Sequence, residues 1–61
     1  MKWIDFLFYD GVTGEDFLVE VHDTPTALEE ARKIAKENFE APALIRVMSD
    51  EEAEMLGLDT Y

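Results

Sequence analysis

Residues 2–22, KWIDFLFYDGVTGEDFLVEVH, decide the fold. Apolar residues recur at every second position in two runs, Lys2 to Asp10 and Glu15 to His22, and a period of two marks strands. Ile4, Phe6 and Phe8 share one face of the first run. Trp3, Asp5, Leu7 and Tyr9 share the other. Phe17, Val19 and Val21 share one face of the second run, opposite Leu18, Glu20 and His22. Gly11-Val12-Thr13-Gly14 is turn material. A four-residue loop pairs Phe8 with Phe17, Phe6 with Val19, Ile4 with Val21 and Leu7 with Leu18. A two-residue Gly11-Val12 loop would place Glu15 opposite Phe8, a charge on the apolar face. A slip of one residue would send every apolar side chain to the wrong face, so the pattern selects the longer loop.

Working outward, Thr24 is the expected helix cap, with Pro25 at the first helical position. Ala27, Leu28, Ala31, Ile34 and Ala35 then repeat at helical spacing, continuing to Asn38 or Phe39, and the helix ends before Pro42. Ala43 to Met48 reads as a third strand, with Ala43, Ile45 and Val47 on one side and Leu44, Arg46 and Met48 on the other. Ser49 and Glu52 form a capping box for a short second helix, and Gly57 is its natural stop. The expected architecture is a single α+β domain over residues 1–61, ordered ββαβα. A right-handed crossover makes the third strand parallel to the second. The first strand is apolar on both faces, as a central strand should be, which favours sheet order 2-1-3 over 1-2-3.

The chain of 61 residues carries a net charge of −10, from fifteen acids and five bases. The excess is uneven. Residues 1–23 hold six acids and one base, residues 24–40 four and three, and residues 41–61 five and one. The acidity therefore belongs to the hairpin and to the second helix. Such a charge is repelled by phosphate backbones and anionic lipid, so neither direct nucleic-acid binding nor membrane association is expected. No apolar run is long enough to span a bilayer, the first residues do not resemble a secretion signal, and there is no cysteine. These features together suggest a cytoplasmic protein.

Two features of the far sheet face stand out. Trp3, Leu7, Tyr9, Leu18, Leu44 and Met48 all point away from the first helix. They must be covered by the second helix and tail, by a second copy of the chain, or by a partner. Asp5 and Glu20 face each other there, and Arg46 is expected beside Asp5, giving an ionic cluster of Asp5, Arg46 and Glu20. Asp5, Glu20 and His22 are the one grouping that suggests a metal or acid–base site. No second histidine, cysteine or HExxH-like spacing supports it, so no catalytic, cofactor or metal residue is assigned and no cofactor is expected.

The strand–turn–strand pattern followed by Thr26-Ala27-Leu28-Glu29-Glu30-Ala31 resembles the N-terminal part of HicB-type antitoxins over residues 2–39. That family has three strands before its helix, whereas two are read here. The resemblance implies a partner protein, a small toxin. The whole chain also resembles small ββαβα proteins of phages and mobile elements. The expected function is a non-enzymatic protein-binding or regulatory module, which a homodimer would also suit. Its expected contact residues are Trp3, Leu7, Tyr9, Leu18 and Met48, together with Asp50, Glu51 and Glu54. The alternatives are an acidic mimic of nucleic acid that inhibits a DNA- or RNA-binding defence protein, and a HicB-like antitoxin.

Overall fold

The computed structural model describes residues 2–61. Strand β1 (Trp3–Asp10) pairs antiparallel with β2 (Asp16–His22) on one side and with β3 (Pro42–Met48) on the other. The sheet order is β2-β1-β3, with the doubly apolar strand in the centre. The hairpin register is the one that buries a single apolar face: Phe8 faces Phe17, Phe6 faces Val19, Ile4 faces Val21 and Leu7 faces Leu18. Helix α1 (Ala27–Asn38) connects β2 to β3, and α2 (Asp50–Leu56) follows β3. Since β2 and β3 are both antiparallel to β1, they run parallel to each other.

The main core lies between α1 and the sheet. Phe6, Phe8, Phe17, Val19 and Val21 meet Ala27, Ala31 and Ala35, with Ile4, Ile34, Phe39 and Leu44 at its margin. Alanines at three successive turns let the helix backbone approach closely, and the phenylalanines fill the volume. Phe39 leaves the helix in an extended conformation and stacks on Phe17, with ring centroids 3.9 Å apart. The helix begins later than the Thr24-Pro25 pair suggests. Its N-cap is Thr26, without a side-chain cap bond. The Thr24 hydroxyl instead lies 3.4 Å from the side-chain oxygens of both Thr26 and Glu30, and its carbonyl accepts from Ala27 N–H. Residues 24–26 form a turn that delivers the chain to the helix.

Asp10, counted with the acidic surface when read from sequence, is buried. Its carboxylate accepts from Thr13 N–H at 2.9 Å, Thr13 Oγ1 at 2.8 Å and Ala41 N–H at 3.0 Å. One side chain thus closes the hairpin loop and ties it to the start of β3. Gly14 takes the left-handed conformation that the loop requires, with φ 74°.

The second helix has the expected capping box and ends at Gly57, whose φ is 65°. Beyond it the chain does something the sequence did not suggest. Residues 59–61 lie along the outer edge of β2, joined to it by a parallel bridge between Thr60 and Leu18. Leu18 N–H donates to the Asp59 carbonyl, Tyr61 N–H to the Leu18 carbonyl and Glu20 N–H to the Tyr61 carbonyl. The Tyr61 ring packs edge-on against Phe17 and Phe39.

Candidate functional site

The far face of the sheet is covered by the chain itself. Leu18 and Met48 are 1 % and 3 % exposed and pack with Ala53 of α2, with Leu7 and Leu58 alongside. Leu18 and Met48, expected from the sequence to face a partner, are thus buried by the chain's own α2, and Leu7 is half-buried in the same cluster. Only the two ends of this face stay open. Trp3 remains exposed at one end, tilted against His22 with ring centroids 4.0 Å apart, and Tyr9 is exposed at the other. Within α2 the cover comes from Ala53 and not from its larger apolar side chains. Met55 is 88 % exposed and Leu56 also points outward.

A bulge in β3 explains a second departure. The pairing with β1 runs Asp5 to Met48, Phe6 to Val47 and Leu7 to Arg46, then jumps to Phe8 with Leu44. Ile45 is the extra residue. A bulge reverses the side-chain alternation on one side of it. Leu44 therefore turns to the α1 core rather than the far face, Ala43 turns the other way, and Ile45 is left 51 % exposed. Val47 keeps its expected face. It is nevertheless 48 % exposed, because α1 lies chiefly over β2 and leaves the β3 side uncovered.

The two outer edges of the sheet consequently differ. The β2 edge is closed by the tail. The β3 edge pairs with no other segment among the described residues. Beside it, at the end where β1 begins and β3 ends, lies a groove of about 540 Å³. Trp3, Ile4 and Val47 give it an apolar wall, and Asp23, Asp50 and Glu51 give it an acidic rim with Lys2 as the single base. Of the expected contact residues, the structure brings Trp3, Asp50 and Glu51 together here. Met48 contributes only to the lining, and Glu54 stands elsewhere.

The expected ionic cluster is only half present. Asp5 and Glu20 do face each other. Arg46 is opposite Leu7 and pairs with Glu52 at 3.2 Å, on the surface. The neighbour of Asp5 on β3 is Met48, so no cation reaches it. Asp50, at the start of α2, comes in instead. Asp5, Glu20 and Asp50 each place one carboxylate oxygen within 4.8 Å of the others. Burial raises the Asp5 carboxyl to a pKa of about 7, and the approach of the Asp50 and Glu20 carboxylates adds to the rise, because each disfavours a further negative charge beside it. The opposite holds for Glu52, which the Ser49 backbone N–H and the Arg46 guanidinium hold below the usual carboxylate range.

No protein family, curated protein or solved structure matches the chain. No helix among the described residues is long and apolar enough to cross a membrane.

Proposed function

We propose that the chain is a non-catalytic protein-binding module that takes an extended segment of a partner along the open edge of β3. The observation that supports this most is the contrast between the two edges: the tail closes one, while the other stays open next to exposed Ile45 and Val47. An unpaired strand offers its backbone N–H and carbonyl groups as a template for one more strand, and apolar side chains beside it add area that a partner can bury. The Trp3/Ile4/Val47 groove would receive a large side chain of the incoming segment. Its acidic rim favours lysine or arginine at neighbouring positions.

The charge also argues that the partner is a different protein. Two copies would bring −10 against −10, a repulsion that opposes pairing of equal edges. A basic, alternating segment has the complementary pattern. Selection from a display library of random peptides on the immobilised chain tests the reading. Peptides that alternate apolar and basic residues should be enriched, and Val47→Lys and Ile45→Lys should each abolish capture without unfolding the exposed edge. Sedimentation should show a monomer without peptide. Ligands that bind these variants as well as the wild type would refute the edge. Salt-sensitive capture that is indifferent to both substitutions but lost on neutralising the hairpin acids would point to nucleic-acid mimicry instead.

A further inference from the structure

Asp5, Glu20 and Asp50 converge from three different elements: the centre of β1, the facing position on β2 and the first residue of α2. Asp5 is 1 % exposed, and its Oδ2 is the one buried side-chain oxygen or nitrogen without a hydrogen-bond partner among the described residues. Asp5 is a member of the carboxylate cluster and lines the pocket the cluster surrounds. Buried acceptors are nearly always satisfied by protein, water or an ion, so one left without a protein partner calls for another. No basic side chain supplies it, because Arg46 is held by Glu52 and His22 lies against Trp3. The three carboxylates line a pocket of about 230 Å³, bordered further by Ala53, Glu54, Gly57, Leu58 and Thr60.

We propose that this pocket binds one hard divalent cation through Asp5, Glu20 and Asp50. The donor set is all oxygen, which suits Ca²⁺, Mg²⁺ or Mn²⁺ and not the softer metals that prefer nitrogen or sulfur. A spread of 4.8 Å is what one ion can bridge with bonds of about 2.4 Å, the length usual for calcium. The pocket has room beyond the ion for several waters, each needing roughly 30 Å³. Bound there, the ion ties α2 to both strands of the hairpin. Asp50 also borders the groove beside β3, so the same ion fixes one end of that groove.

The test is calorimetric titration of the full chain, freed of metal by chelation, with CaCl2, MgCl2 and MnCl2 in turn at neutral pH. At least one should bind saturably with one ion per chain and a dissociation constant below about 1 mM, the range of modestly charged oxygen sites. Asp5→Asn and Asp50→Asn should each weaken binding at least tenfold, while Glu29→Gln, the same charge change on α1, should leave it unaltered. Asp50 is exposed, so its variant reports even where a change at buried Asp5 disturbs folding. In NMR spectra, substoichiometric Mn²⁺ should broaden first the amides of residues 5, 20, 50 and 58. Absence of saturable binding for all three ions overturns the proposal. So does equal weakening by Glu29→Gln, or broadening spread evenly over the acidic surface, since either marks diffuse counter-ions.

Discussion

Asp5→Asn should make this protein more stable at neutral pH, although it alters one of the most deeply buried side chains. The carboxyl is raised from an ordinary 3.8 to about 7 in the fold. A carboxyl whose folded pKa exceeds its unfolded one binds its proton more tightly when folded. Its stabilising contribution is complete below about pH 4 and declines as pH rises, until the folded group has also ionised near pH 7. The shift of about 3 units, at about 1.4 kcal/mol each, sets a ceiling of about 4 kcal/mol. Solvent at the mouth of the pocket, where Asp50 is exposed, screens the cluster, so roughly half of this, about 2 kcal/mol, is the expected loss. A chain of this size has only about 3–9 kcal/mol in total. Asparagine has nearly the shape of protonated aspartic acid and can donate to the neighbouring carboxylates. With chelator present, its stability relative to wild type should climb between about pH 4 and pH 7 and then level off, reaching about 2 kcal/mol, or roughly 10 °C in melting temperature. Taking the difference between the two proteins cancels every other titrating group. Urea denaturation of both across the pH range is the assay. A difference that stays flat with pH, or an asparagine variant less stable at about pH 8, would refute the account of this pocket.

Leu18→Ala tests whether the far face is internal. As a core residue under Ala53 and Leu58 it should cost about 2–5 kcal/mol in chemical denaturation, whereas a surface contact residue would cost well under 1 kcal/mol. Deleting residues 59–61 removes three backbone hydrogen bonds and the Tyr61 contact with Phe17 and Phe39. It should speed amide exchange at Leu18 and Glu20 and induce concentration-dependent self-association through the uncovered β2 edge. Unchanged exchange there would show that the tail is not paired in solution. Asp10→Ala should lower the melting temperature and loosen both the hairpin loop and Ala41. Hydrogen bonds led by Thr13 N–H hold the Asp10 carboxylate below 3.8, so its stabilising effect is present above that pH and disappears as pH falls through the depressed value. Acid melts in which the alanine variant loses stability in parallel with wild type would contradict this.

Much of the fold was written locally in the chain. The hairpin register follows from two alternating runs that bury phenylalanine and valine together in only one alignment. The central position of β1 follows from its two apolar faces. Ser49, Glu52 and Gly57 mark the ends of α2 by chemistry that acts over three or four residues. These features need no knowledge of distant parts of the chain. The bulge at Ile45 does need it. An extra residue in one strand costs the alternation nothing that can be seen in sequence, and it is settled by which side chains fit beneath α1 and α2. Arg46 was expected beside Asp5 but stands two residues along β1, opposite Leu7, so the cluster at Asp5 was assigned a cation that is engaged with Glu52. Asp50 looked like an ordinary acid at a helix start, because only the return of α2 across the sheet brings it to Asp5. The sequence by itself thus determined the strands, their register and the acidity. The tertiary structure alone decided that the far face is covered by the chain's own tail, that one edge stays open, and that three carboxylates share a pocket, since each depends on where α2 and residues 59–61 come to rest.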